Sequence, residues 1–166
     1  MPDRSVVRSN RDEVSRAAHE FGTPESQFRI LSEEEAKPIL ARIESHFVGK
    51  AGVRWWWEAF RPSPTAHAHF PDGAGWRHLN FIVPPDSGLV WFVVEDYPTF
   101  MICEGNLDAV QSIIGDCSAF EYYVVSNSLD WLICENHSDV IYAVGESVAD
   151  RLSEVVILLD HMDHKV

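Results

Sequence analysis

Cysteine is scarce in this chain. Cys103, Cys117 and Cys134 are an odd set without a Cys-x-x-Cys spacing, which excludes a secreted disulfide framework and a thioredoxin-like redox pair. Cys103 and Cys134 fall inside apolar strand patterns and are expected buried and reduced. Long apolar runs are missing too. No stretch approaches the ~18 residues that cross a bilayer, and Met1-Pro2-Asp3-Arg4-Ser5 leads into charge rather than an apolar leader core. The expected location is cytoplasmic, without membrane association. Positive charge is the third shortage: 13 Lys and Arg face 26 Asp and Glu, for a net charge of -13. Such a surface repels nucleic-acid phosphates and anionic membranes and attracts a basic protein. A glycine-rich phosphate loop, a nucleophile elbow and zinc-motif spacing are likewise lacking. Neither a cofactor nor a resident metal is expected, no catalytic residue is assigned, and the oligomeric state is left open.

With 46% hydrophobic residues in 166, the chain can bury a core without staples. One domain over 1–166 is expected, helical to about residue 50 and sheet-rich from 51 on. Asn10 with Glu13, and Ser32 with Glu35, read as capping boxes of two N-terminal helices, with Pro38 as a kink or a later start of the second. Val53 to Phe60, containing Trp55-Trp56-Trp57, reads as an aromatic strand, and Arg61 to Arg77 as a long irregular loop. His78 to Val83 and Leu89 to Glu95 read as a hairpin about Pro84-Pro85-Asp86-Ser87-Gly88, extended by Phe100 to Glu104. Asn106 caps a middle helix ending near Gly115. Phe120 to Ser126, Trp131 to Asn136 and Val140 to Val144 form a second meander, and Ser147 with Asp150 opens a C-terminal helix. The fold class is α+β, with a mostly antiparallel sheet of six or seven strands.

A similarity runs through this pattern at an offset of 31. Val90-Trp91-Phe92-Val93-Val94 and Phe100-Met101-Ile102-Cys103-Glu104 return as Glu121-Tyr122-Tyr123-Val124-Val125 and Trp131-Leu132-Ile133-Cys134-Glu135. Two related hairpins are expected over 90–106 and 121–137, with Glu104 and Glu135 at matching strand ends. Paired carboxylates suit acid/base chemistry or a cation site, although each also marks where a strand meets water. Glu135-Asn136-His137-Ser138-Asp139 gathers acids, an amide and an imidazole in one turn, and His137 is a group that titrates near neutrality. The same residues can equally satisfy the backbone of their own turn. His67-Ala68-His69 places two imidazoles on one side of an extended segment, without the further ligands a metal needs. Three consecutive tryptophans cannot all enter one core, so at least one should line a pocket or face a partner.

The tract Glu121 to His137, with Asp139-Val140-Ile141 and Val144-Gly145, resembles small bacterial proteins of uncharacterised families, and some proteins of this general size and α+β layout act as immunity proteins in toxin systems. The resemblance covers roughly the last third and implies no catalytic residue. The leading expectation is therefore an acidic binding protein, of immunity type, that occludes a basic partner. Its contacts would be Asp96, Glu104, Glu135, Asn136, His137 and Asp139, with Trp57 or Trp131 filling a pocket. The alternatives are a small metal-dependent hydrolase using His137, Glu135 and Glu104 or His69, and a small-ligand domain lined by the tryptophans and closed by the 61–77 loop.

Overall fold

A computed structural model describes residues 8–164. Its centre is one antiparallel sheet of seven strands: β1 (Phe28–Ile30), β2 (Thr65–His69), β3 (Val90–Asp96), β4 (Thr99–Gly105), β5 (Tyr122–Ser126), β6 (Leu132–Glu135) and β7 (Val140–Val144). The spatial order is β1-β4-β3-β5-β6-β7-β2, so the class expected from sequence holds. Helices α1 (Asn10–Glu20), α3 (Leu79–Ile82), α4 (Leu107–Asp116) and α5 (Glu146–Asp163) contribute to the core on one face, and α2 (Glu33–Phe47) to the core on the other. Because both faces are covered, β3, β5 and β6 read as unbroken apolar runs. Val90, Phe92 and Val94 pack with α1, α4 and α5, while Trp91 and Val93 pack with α2.

Local chemistry accounts for most boundaries. Ser32 and Glu35 form the expected capping box, and Asn106 accepts from Ala109 N–H at 2.9 Å to start α4. The first helix is capped one residue earlier than expected, by Ser9 with Asp12. Pro38 lies within α2, which runs on unbroken to Phe47. The last helix starts from Gly145, not Ser147.

Three expectations are corrected. Val53 to Phe60 is not a strand but is built around a 3-10 turn, Trp56–Glu58. Trp56 turns inward, where its backbone N–H donates to Tyr123 Oη at 3.1 Å and its ring packs on Phe100 and Tyr123; burying an indole of this size outweighs strand propensity. The 61–77 loop contains β2, whose Ala66 and Ala68 face α5 across from His67 and His69. His78 to Val83 belongs to a 3-10 turn and α3 rather than a strand, since a short apolar run fits a helix as well as a strand. Strand β1 had no sequence signal beyond three residues.

The internal similarity also changes meaning. Both hairpins share one register: Trp91 pairs with Glu104 as Tyr122 pairs with Glu135. Side chains alternate faces with a period of two, and β3 sets Trp91 opposite Val125 and Phe92 opposite Val124 on β5, so each residue and its counterpart 31 positions on fall on opposite faces. Ile102 packs under α2 while Ile133 packs on the opposite face, and Cys103 and Cys134 are exchanged likewise. Glu104 and Glu135 therefore lie on opposite sides of the sheet. They cannot act as a pair.

Candidate functional site

The β6–β7 turn stands at one end of the sheet and closes a cleft of about 270 Å³. Its lining includes Glu135, Asn136, His137 and Asp139 from the turn, Tyr122 and Phe120 from β5 and its approach, and Trp76 from the 3-10 turn at Gly75–His78. Four residues singled out in sequence are thus brought together here. Asn136 is buried, and its Oδ1 accepts from Ser138 and Val140 N–H at 3.0 and 3.1 Å. Its amide oxygen is spent on the turn. Asp139 takes a left-handed φ of 59°, which Asp tolerates better than most residues.

Glu135 is the unusual group. Its side chain is on the cleft face, the residue is 6% exposed, and Tyr122 Oη donates to Oε2 at 2.5 Å. Among the described residues no Lys, Arg or His forms an ion pair with it. Burial pushes its carboxyl above the usual carboxylate range; the Tyr122 hydroxyl opposes that shift, Asp139 adds to it, and the N–H groups of Trp76 and Gly75 oppose it. Gly75 permits this approach, since a Cβ there would sit 2.8 Å from Glu135 Oε1 and 2.8 Å from Ile141. Trp76 is held from behind by Gln111, which donates to the carbonyls of Trp76 and Arg77 at 3.0 Å. Its ring rests on Gly115, where a Cβ would come within 2.6 Å. Cys117 also lines the cleft, but burial raises its thiol to about 11, making it a poor nucleophile.

Tyr122→Phe removes one of the donors holding the carboxylate. The expected cost is about 1–3 kcal/mol at neutral pH, where an ionised buried acceptor is left short of a partner. The variant raises the Glu135 pKa further, so the cost should shrink in mildly acidic solution as the carboxyl takes up a proton. Urea melts at both pH values check this, and a pH-independent cost would contradict it.

On the other side of the turn lies an aromatic shelf. His137 Nδ1 is 3.0 Å from Glu121 Oε2, and Glu121 Oε1 accepts from Trp57 Nε1 at 3.1 Å and Tyr123 Oη at 3.3 Å. Trp55 stacks on Trp57, and Trp57 on Tyr142, with centroids 6.2 and 6.0 Å apart. Arg54 lies over Trp55 and Tyr97 and pairs with Glu95 at 2.7 Å. Trp57 is thus a partly exposed shelf residue.

The remaining candidates lie elsewhere. Glu104 is 3.6 Å from Arg29, and Asp96 pairs with Arg11 at 2.8 Å. Trp131 is buried, with Gly145 against it. His67 and His69 project from β2, and among the described residues no three His, Cys, Asp or Glu side chains converge as metal ligands.

A family model matches residues 7–156, a span that holds the cleft, the shelf and all seven strands. The chain belongs to this family, DUF6756, a family of unknown function. No curated protein and no solved structure matches the chain. Family membership agrees with the resemblance to uncharacterised proteins and assigns no activity to the site. Among the described residues no helix is long and apolar enough to cross a membrane.

Gly75, Trp76 and Tyr122 were not anticipated as site residues. One usable signal was present: from His78 to Asp150 the sequence has no Lys or Arg and twelve Asp and Glu. That desert contains β3 to β7, and its acids include Glu135 and Asp139.

Proposed function

We propose that this member of the family is a binding protein for a basic partner, and that a lysine or arginine side chain of the partner enters the cleft beside Trp76 to meet Glu135. The observation that carries the reading is the buried Glu135 carboxylate, supplied with hydroxyl and N–H donors but with no cation among the described residues. A buried charge without a counter-charge is costly, and a perturbed carboxyl in a cleft is a mark of function. Asp139 adds negative potential at the same place, while the Trp76 ring already holds the Arg77 guanidinium 5.4 Å from its centroid. The long stretch without Lys or Arg leaves few intramolecular competitors. Occlusion of a basic surface, as an immunity-type inhibitor of a toxin would achieve, is the biological form this reading favours.

The test is titration with a peptide rich in lysine and arginine, at low and at high salt. Binding should weaken with salt, because exposed charges are screened within about 10 Å at 0.1 M. It should also weaken when Glu135 is neutralised. Salt-independent association, or equal binding by the neutral variant, would contradict the proposal.

A further inference from the structure

Among the described residues the sheet has two free edges of unequal character. The outer edge of β1 is three residues long and carries Arg29, already paired with Glu35 at 3.0 Å. The outer edge of β2 is five residues long, and no Lys or Arg occurs from Pro62 to Trp76. Native sheets usually blunt such an edge with lysine, proline or a bulge within the strand. Thr65–His69 contains none of these; its prolines, Pro64 and Pro71, lie outside it.

The ladder shows which backbone groups are free. Gly145 N–H donates to Pro64 O at 2.8 Å, and Phe70 N–H to Asp139 O at 2.8 Å. Hydrogen-bonded and non-hydrogen-bonded pairs alternate along an antiparallel pair, so residues 64, 66, 68 and 70 face β7. The N–H and C=O groups of Thr65, His67 and His69 therefore point outward. No hydrogen bond among the described residues occupies them, and all three residues are exposed.

We propose that the outward edge at Thr65, His67 and His69 receives an extended segment of the basic partner as an eighth strand of the sheet. This rests on the reading of a basic partner and names how that partner is held. Charge decides the occupant. Helix α5 lies along β2 on the Ala66 and Ala68 face and exposes Glu146, Asp150, Glu154 and Asp160; its one cation, Arg151, donates to Phe81 O at 3.0 Å. The opposite face offers His67 beside Tyr142 and the aromatic shelf. An added strand places alternate side chains on these two faces. Lysines suit the α5 side and apolar residues the shelf side. A second copy is the poorer occupant, since each chain carries a net charge of -13 and an antiparallel pairing would set like histidines side by side.

The probe is a blocked peptide of alternating valine and lysine, with an alternating valine and glutamate peptide as its counterpart. Amide hydrogen exchange of the full chain is followed by NMR. The valine-lysine peptide at saturation should slow exchange at Thr65, His67 and His69 at least tenfold, leaving Ala66 and Ala68 unchanged. His67→Pro removes an outward donor without touching the β7 ladder, as edge positions allow, and should weaken peptide binding at least tenfold. His69→Lys, which sets a like charge at the edge, should act in the same direction and serves if the proline variant does not fold. Binding that depends on Glu135 but leaves the three amides unprotected overturns this inference while the cleft reading stands. Equal protection by the glutamate peptide overturns the basic occupant and, with it, the basic-partner reading. Protection that grows with protein concentration alone points to a second copy and overturns the inference as well.

Discussion

Glu135→Gln should make the protein more stable at neutral pH and a poorer binder of a basic peptide by at least about 30-fold. The two effects have one origin. Losing one partner of a buried, hydrogen-bonded charge pair in a complex costs on the order of 2–5 kcal/mol, and about 2 kcal/mol is a 30-fold loss. In the free protein the carboxyl is raised above the unfolded range, chiefly by burial. For such a group the folded state holds the proton more tightly. Its contribution to stability is full below the unfolded pKa and is lost as pH rises through the folded pKa. Glutamine keeps an acceptor for Tyr122 and does not ionise. The melting temperature should therefore rise at neutral pH, by roughly 2–4 °C if the relief is ~1 kcal/mol, and the advantage should vanish in acid. A variant that is less stable at neutral pH and still binds would show that the carboxylate is structural.

The second large effect concerns Gly145, which joins β7 to α5. Its φ of 112° is one that side chains rarely adopt, and a Cβ there would lie 2.6 Å from the carbonyl oxygen of Asp130 and 3.1 Å from Trp131 Cβ. Neither contact is the far end of a flexible chain. Gly145→Ala combines backbone strain with overpacking, each of order 1–3 kcal/mol, so about 2–6 kcal/mol should be lost in denaturant melts. The backbone must shift where Trp131 enters β6 and where Gly145 N–H ties β7 to Pro64. A loss below ~0.5 kcal/mol would mean that the turn relaxes freely.

These two residues show where sequence was legible. Strands β3 to β7 announce themselves because both faces of the sheet are covered, so each has an unbroken apolar centre and polar or turn residues at its ends. The α2 and α4 caps are equally local, being set within four residues. The Trp55-Trp56-Trp57 segment is different: its shape is decided by Tyr123 and Phe100, 67 and 44 positions away in the sequence, and propensity cannot see them. Strand β2 was hidden because Ala and His carry little strand preference; β7 and α5 hold it in place. For the site, the turn from Glu135 to Asp139 was visible as a cluster of versatile side chains. Tyr122, Gly75 and Trp76 were not, because their meeting depends on β5–β6 pairing and on a 3-10 turn in a segment read as loop. The pairing of Glu104 with Glu135 failed because the faces depend on how β3 registers on β5: Trp91 pairs with Val125, which leaves its counterpart Tyr122 on the other face, and no local pattern in the sequence fixes that register.

The most direct test of the account is the titration of Glu135 itself, followed by carboxyl-selective NMR with and without a saturating lysine-rich peptide. In the free protein Glu135 should titrate above the usual carboxylate range. With the peptide bound, a cation facing the carboxylate should bring its pKa down, by a unit or more for a coupling of about 1.4 kcal/mol. A Glu135 titration that is the same with and without bound peptide would contradict the claim that this carboxylate is the receptor for a partner's positive charge.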